Sequence, residues 1–199
     1  MGALFCETNN LGLPDSDIGY YPNFLEHGLA TQYLNTLKEK ISWRQDSIKL
    51  FGKTYLQPRL TALFANNAQP YTYSNITMHP QPFNTTLLEI KTKIEQETKE
   101  KFTSCLLNLY RNGKDSNGWH ADDEPELGIN PVIASLSLGQ ERFFHLRHKK
   151  DKKLKLKILL GHGSLLLMKG ETQHHWQHQV PKTKKPIDER INLTFRTIR

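Results

Sequence analysis

Short segments with strand character recur through the second half of the chain, and they restrict its fold more than any other feature. They follow Phe102 at 103–110, 118–123, 132–138, 142–148, 154–160, 163–169, 175–180 and 189–198. Glycine, proline, asparagine or charged turns separate most of them. Many short strands at this spacing are typical of a β-sandwich or barrel. The sequence therefore predicts a β core in the C-terminal half.

The first half of the chain predicts two helices. Segment 24–41 repeats an apolar residue every four positions, the spacing of one helix face, at Leu25, Leu29, Tyr33, Leu37 and Ile41. Segment 84–101 is the second helix, with Asn84 or Thr85 as its N-cap. The remaining segments predict a hairpin at 47–57, an irregular stretch at 1–23 and a long loop with strand fragments at 58–80. Two helices outside a β core make the class α+β, and 199 residues suit a single domain, 1–199.

Positive charge is concentrated in one segment. Residues 142–157 carry eight Lys or Arg and one Asp, so this run accounts for a charge equal to the +7 of the whole chain. It is either a solvated loop between strands or a patch that contacts phosphates. The chain has no apolar run of the roughly 18 residues that a membrane helix needs, so no membrane is expected. Two cysteines are too few for a disulfide framework and favour an intracellular compartment.

Histidines and acids cluster in two places. In a strand, residues i and i+2 share a face, so "WHADD" places His120 beside Asp122. Three further histidines, His174, His175 and His178, lie in "GETQHHWQHQVP". Two histidines and one carboxylate on iron leave three coordination positions open, which suits Fe(II) and oxygen chemistry.

The last strand, "RINLTFR", has two contrasting faces. One carries Ile191, Leu193 and Phe195, and the other carries Arg190, Asn192, Thr194 and Arg196. The polar face is either solvent-exposed or lines a cavity, and buried guanidinium groups need anions such as the carboxylates of a diacid. Asn108 and Tyr110 share a face of "SCLLNLY" in the same way. Arg190 and Arg196 are separated by roughly 20 Å of strand, so either is a stronger candidate than both together.

The motifs "WHADDE", "HWQHQVP" and "RINLTFR", in this order, resemble the AlkB family of Fe(II)- and 2-oxoglutarate-dependent dioxygenases, most of all its members that repair duplex DNA. The resemblance runs from about residue 50 to 199. It implies that His120, Asp122 and His178 bind the metal, and that His174 is peripheral. It also implies a set of cosubstrate residues: Asn108, Tyr110, Arg190, Asn192 and Arg196. The implied cofactors are Fe(II), 2-oxoglutarate and O₂.

The same resemblance implies a fold and an activity. The fold is a double-stranded β-helix, or jelly roll, at 102–199, with helices and a nucleotide-recognition lid at 1–101. The activity is oxidative demethylation of bases such as 1-methyladenine and 3-methylcytosine in DNA, releasing succinate, CO₂ and formaldehyde after the base is flipped out. The implied substrate contacts are a hairpin-tip wedge and four further residues: Phe51, Gly52, Arg59, Tyr73 and Glu124. Of these, Arg59 is expected to contact phosphate, as is the basic run.

Other interpretations of the same residues remain open. The partner is expected to be double-stranded DNA, but RNA or protein substrates are alternatives. A nucleic-acid-binding module with an inactive metal site and a zinc hydrolase with the same ligands are two more. Neither would need arginines lining a diacid pocket. A monomer is expected, located in the cytoplasm of a bacterium or the nucleus of a eukaryote.

Overall fold

The computed structural model describes residues 9–50, 53–67, 71–73 and 76–198, and within them the chain forms two facing antiparallel sheets with helices on one side. The helices are α1 (His27–Lys40), α2 (Thr85–Thr98) and the single turn α3 (Thr172–His175). The strands of the first half are β1 (Asp17–Tyr21), β2 (Ser47–Leu50), β3 (Lys53–Leu56), β4 (Leu60–Ala65), β5 (Tyr71–Tyr73) and β6 (Ile76–Met78). Those of the second half are β7 (Ser104–Tyr110), β8 (Asn117–His120), β9 (Ile133–Gly139), β10 (Arg142–His148), β11 (Lys155–Leu160), β12 (Leu165–Lys169), β13 (Trp176–Val180) and β14 (Arg190–Arg196).

The two main sheets form the predicted jelly roll. The larger has the strand order β1-β12-β9-β14-β7-β4, and the smaller has the order β11-β10-β13-β8. Strand β14 lies in the middle of the larger sheet, with Arg190 opposite Tyr110 on one side and opposite Gly139 on the other. A side chain on Gly139 would meet the carbonyl oxygen of Glu189 at 2.5 Å, so a glycine is needed where the chain passes Arg190.

Both faces of β14 are buried, which decides between the two interpretations of its pattern. Ile191, Leu193 and Phe195 pack into a core that also contains the buried sides of α1 and α2. The polar residues of the opposite face are also buried, at 8% exposure or less. This face looks toward the smaller sheet, so the arginines line the interior and are not those of an ordinary edge strand.

The helices form where their apolar faces have a sheet to cover. In α1, Ala30, Tyr33 and Leu37 are buried, and in α2 Leu87, Ile90 and Ile94 are. Each of the leucines and isoleucines contributes about 1.5–3 kcal/mol when it is removed from water. The side chain of Asn84 accepts a hydrogen bond from the backbone N–H of Leu87, so of the two predicted N-caps Asn84 is the one used.

The structure corrects two expectations about local structure and bears out a third. Residues 17–21, predicted to be irregular, form the edge strand β1, because β12 offers them a complete antiparallel register. Strand β8 ends at His120, short of the predicted 123, so Asp122 lies in the loop that follows. The strands predicted at 142–148 and 154–160 are present as β10 and β11, so within the basic run 142–157 only the connection at 149–154 is a loop.

The division at residue 101 stays a prediction, although the larger sheet takes β1 and β4 from before it. The hairpins β2–β3 and β5–β6 form separate two-stranded sheets. Within the described ranges, no helix is both long enough and apolar enough to span a bilayer.

Candidate metal and diacid site

A cavity between the two sheets collects most of the candidate residues. Its walls come from β7, β8, β9, β10, β12, β13 and β14 and from the loop after β8. The residues lining it include Asn108, Tyr110, His120, Asp122, His178, Asn192 and Arg196. The polar sides of distant strands therefore converge on one enclosed space.

His120, Asp122 and His178 form a group with the geometry of a metal site. His178 of β13 pairs in register with His120 of β8, and their ring centroids are 4.2 Å apart. One ligand atom from each of the three residues lies within 4.8 Å of the others. Two imidazoles and one carboxylate at this spacing fit a divalent transition metal.

The charges of the three groups suit metal binding. Burial lowers the pKa of His178 to about 3, so its imidazole is neutral at pH 7. Burial also lowers the pKa of His120, whose Nδ1 lies 2.8 Å from the carbonyl oxygen of Gly118. If Nδ1–H donates to that carbonyl, Nε2 keeps the lone pair that a metal needs.

Asp122 is held as a carboxylate. Burial raises its pKa, but the positive charge and hydrogen bond of Arg196, together with the interactions with His178 and His120, outweigh burial and bring the pKa to about 2. Nη2 of Arg196 lies 2.7 Å from Oδ1 of Asp122, and the two side chains are only 5% and 2% exposed. Arg196, predicted to bind the cosubstrate, therefore also pairs with a predicted metal ligand.

Gln173 fixes the backbone of the same loop. Its Oε1 accepts a hydrogen bond from the backbone N–H of Asp122 at 2.9 Å, and its side chain is 1% exposed. Lys149 donates to Oδ2 of Asp123 at 2.9 Å and to the carbonyl oxygen of Gln173 at 2.8 Å. The turn α3 thus holds the loop that presents Asp122.

Arg190 has the features of an anion site. It is 1% exposed and donates from Nη2 to Oγ of Ser137, while Nε and Nη1 make no hydrogen bond within the described part of the chain. Burial lowers its pKa to about 10, so it remains a cation at neutral pH. A buried guanidinium with spare donors fits one carboxylate of a diacid such as 2-oxoglutarate.

The amides predicted to bind cosubstrate line the cavity but also have protein partners. Asn108 Oδ1 accepts from Nε of Arg59 at 2.7 Å. Asn192 Nδ2 donates to Oγ of Ser135 and to the carbonyl oxygen of Leu136. Tyr110 is 1% exposed, and the guanidinium of Arg190 lies 5.3 Å from its ring centroid.

The predicted substrate residues are less uniformly placed. Arg59 is 5% exposed and hydrogen-bonded to Asn108, which does not fit the expected surface contact with phosphate. Burial, and then the charge of Asp122, raise the pKa of Glu124, whose Oε2 is buried without a hydrogen-bond partner in the described ranges. Phe51 and Gly52 lie outside the described residues, as does the side chain of Tyr73 in β5.

The other two late histidines lie away from this group. His174 is exposed and lies 2.9 Å from Oδ1 of Asn130, and His175 stacks on His148. Asp15, His148 and His175 also have ligand atoms within 4.8 Å of one another. However, Nδ1 of His148 accepts from the backbone N–H of Asp151, which places the proton of neutral His148 on Nε2, the atom facing Asp15. His148 therefore offers no lone pair to a metal there.

Several supporting contacts have no local signal in the sequence. Arg59, Gln173 and Ser137 reach their partners across 49, 51 and 53 residues of chain. Only the fold brings each beside the residue it contacts. The serine alternation in "ASLSLG" is the one pattern that indicates Ser135 and Ser137 share a face.

Comparison with known proteins agrees with this geometry. The profile of the 2OG-Fe(II) oxygenase superfamily matches residues 17–196. The chain is 45% identical over 192 residues to the human alpha-ketoglutarate-dependent dioxygenase alkB homolog 3, covering 92% of this chain and 66% of that protein. It is 37% identical over 215 residues to the DNA oxidative demethylase ALKBH2 of Arabidopsis thaliana, covering 92% of this chain and 67% of that protein.

The fold comparison gives the same result. The solved structure of OsALKBH1 matches with a TM-score of 0.63 at 21% identity, over 90% of this chain and 97% of that one, which shows a shared fold. The chain spans just under two thirds of the length of the human relative. The chain belongs to the 2OG-Fe(II) oxygenase superfamily and, within it, to the AlkB family.

Proposed function

We propose that this protein removes N-linked methyl groups from nucleobases, such as 1-methyladenine and 3-methylcytosine, by Fe(II)- and 2-oxoglutarate-dependent oxidation. The products are the repaired base, formaldehyde, succinate and CO₂. One observation carries the proposal: a His₂-carboxylate group and a buried guanidinium with spare donors lie on strands that enclose the same space. A binding module or a zinc hydrolase has no use for the second feature.

In this proposal the chain holds both cofactors. His120, Asp122 and His178 are the metal ligands, and Arg190 binds the distal carboxylate of 2-oxoglutarate, with Tyr110 beside it. Asn108, Asn192 and Arg196 supply further polar contacts along the cavity. When bound, Fe(II) and 2-oxoglutarate supply the activation of O₂ and the oxidation of the methyl group. The protein orients both and excludes water through the burial of these residues.

The base enters beside Glu124. The family relationship supports a contact between this acid and the substrate base, and its unpartnered buried oxygen is available for one. Burial and the carboxylates of Asp122 and Asp123 raise the pKa of Glu124, and an ionised Glu124 beside the base would favour a cationic methylated base. A methyl group on a Watson–Crick nitrogen is inaccessible inside a duplex, so the base must be flipped out.

The hairpins β2–β3 and β5–β6 form the proposed nucleotide-recognition lid. The chain leads from β3 directly to Arg59, which contacts Asn108 at the cavity wall. Tyr55 and Leu56 of β3 are 50% and 62% exposed, which leaves apolar surface for a base or a duplex end. We assign Phe51, with Gly52 next to it in the sequence between β2 and β3, to the wedge that fills the gap left by the base, and Tyr73 to stacking on it.

The expected partner is DNA, with double-stranded DNA first and RNA as the alternative. Lys150, Lys152 and Lys153, at the exposed tip between β10 and β11, are placed to contact phosphates. Lys149 is excluded from this set because it binds Asp123 and Gln173. We further infer a monomer in an intracellular compartment, the nucleus in a eukaryote, where such a substrate is found.

The test is formaldehyde release from an oligonucleotide carrying one 1-methyladenine, in single-stranded and duplex form. Reactions with Fe(II) and 2-oxoglutarate are run with and without oxygen, beside a His178→Ala variant and an exposed His174→Ala control. The proposal expects oxygen-dependent release that His178→Ala abolishes and His174→Ala leaves unchanged. Succinate formation without repair of any oligonucleotide would keep the oxygenase and reject nucleic acid as its substrate.

A further inference from the structure

The outer face of the smaller sheet has a composition that its structural role does not require. In β10, Phe144, Leu146 and His148 point into the core, so Phe143, His145 and Arg147 point outward. In β11 the outward residues are Lys155, Lys157 and Leu159. Phe143 pairs with Leu159 across the two strands, and they are 51% and 39% exposed. An exposed aromatic–aliphatic pair is therefore flanked by lysines.

Planar groups continue across the same face toward the metal site. The guanidinium of Arg147 lies 4.1 Å from the ring centroid of Trp119, and Nε and Nη2 of Arg147 donate to Oε1 of Gln177. Trp119 directly precedes His120 in β8. Along β10, Phe143, His145 and Arg147 follow one another at intervals of roughly 6.7 Å. The face thus presents a row of rings and a fixed guanidinium that begins beside a candidate metal ligand.

The strands of this face carry charge of one sign, and Glu141, which directly precedes β10, is an acid that lines the adjoining groove. The four strands β8, β10, β11 and β13 contain no Asp or Glu, whereas Arg147, Lys155 and Lys157 all lie on the outward side. Lysines on an edge strand also guard against strand pairing. That role does not explain the exposed Phe143, or the groove of about 370 Å³ that Phe143, His145 and Leu159 help to line.

We propose that the outer face of the smaller sheet binds an unpaired nucleic-acid strand that flanks the methylated base. Bases of an unpaired strand stack on the exposed Phe143 and on the partly exposed planar groups beside it, and its phosphates meet Lys155 and Lys157. A duplex keeps its bases inside, so it offers this face only phosphates. The inference rests on the proposed function in taking nucleic acid as the partner, and it differs from that proposal in expecting the strand beside the methylated base to be unpaired. It concerns binding outside the cavity and needs no turnover.

Binding is measured by fluorescence anisotropy with the full chain, free of metal, and an unmodified labelled 20-mer of thymidine, beside a duplex of the same length. Loss of one base stacked on an aromatic side chain is expected to weaken single-strand binding of Phe143→Ala roughly tenfold. Duplex binding should change much less. Lys155→Gln with Lys157→Gln should lower the salt slope by about 0.7 for each lysine that contacts a phosphate.

Matched controls come from exposed residues on the helices. Leu88→Ala on α2 replaces another exposed apolar side chain, and Lys40→Gln on α1 replaces another exposed lysine. Both are expected to leave single-strand binding unchanged. Circular dichroism and urea unfolding of each variant verify that the fold is retained, as the exposure of these residues predicts.

Three outcomes would overturn the proposal. If Phe143→Ala binds the single strand as tightly as the wild type does, no base stacks on Phe143. If Phe143→Ala loses as much affinity for the duplex as for the single strand, the face contacts only phosphates. Binding of polyglutamate to the same variants is measured in the same way. If the variants lose polyglutamate binding but keep oligonucleotide binding, the face binds an acidic peptide. Because no methylated base is used, failure of demethylation and failure of this surface are observed separately.

Discussion

The buried ion pair between Arg196 and Asp122 makes a quantitative prediction. The two side chains are 5% and 2% exposed and 2.7 Å apart, and Asp122 remains ionised because its pKa is held at about 2. Arg196→Met would leave a carboxylate uncompensated in the interior. Removing one partner of such a pair costs about 3–5 kcal/mol of unfolding free energy.

The prediction is tested by a double-mutant cycle on metal-free protein. Urea unfolding of wild type, Arg196→Met, Asp122→Asn and the double variant is followed by tryptophan fluorescence, in EDTA at pH 7. The double variant leaves no unpaired charge. Its loss of unfolding free energy should therefore be smaller than the sum of the two single losses by at least about 2 kcal/mol. The control is Lys101→Met, which removes a 3.1 Å ion pair with Glu95 whose lysine is 84% exposed. That change should cost at most about 1 kcal/mol.

A bound divalent metal provides a second check on the same pair. Its positive charge partly replaces that of Arg196, so Co(II) should reduce the penalty of Arg196→Met but not that of Lys101→Met. The reasoning would be refuted if Arg196→Met cost no more than Lys101→Met. Additive single losses in the cycle would refute it as well.

Three further predictions concern the rest of the site and its surroundings. Asp115, whose pKa is lowered by hydrogen bonds from Arg111 despite opposing burial, contributes stability that is present above about pH 3.9 and lost as the pH falls further. Asp115→Asn should therefore lower the unfolding free energy by about 2 kcal/mol at pH 7. It should also make the unfolding free energy, measured by urea unfolding at a series of pH values, fall less steeply at acid pH, and an unchanged acid dependence would contradict this. Gln173→Met should weaken Co(II) binding about tenfold in a titration followed by visible absorption, whereas unchanged affinity would show that Gln173 only packs. Arg190→Met should raise the KM for 2-oxoglutarate by about 30-fold or more in a succinate assay, with Arg190→Lys intermediate, and an unchanged KM would place the diacid elsewhere.

The predictable part of this structure was encoded in local patterns. The alternation of "RINLTFR" gave both faces of β14, and the four-residue steps of 24–41 gave α1, because each depends only on neighbours in the chain. Asn84 was identifiable as an N-cap for the same reason. Whether the polar face of β14 lines a cavity or faces solvent depends on the position of the second sheet, which the sequence of β14 does not show.

Contacts between distant segments were the part that the sequence could not supply. Strand β1 is a strand because β12 pairs with it, and "DIGYY" has little alternation of its own. The contact of Gln173 with the backbone of Asp122 crosses 51 residues. Burial of Arg59 against Asn108 likewise follows from the pairing of β4 with β7. These features depend on topology, which no short motif describes.

The central claim is that oxidation of 2-oxoglutarate at this site is coupled to repair of a methylated base. The most direct measurement is the ratio of succinate formed to methyl groups lost, with mass spectrometry of a 1-methyladenine oligonucleotide and of the small-molecule products in one reaction. We expect a ratio near one, with both products lost in His178→Ala. Succinate formed at the same rate whether or not the methylated base is present, with the oligonucleotide mass unchanged, would contradict it.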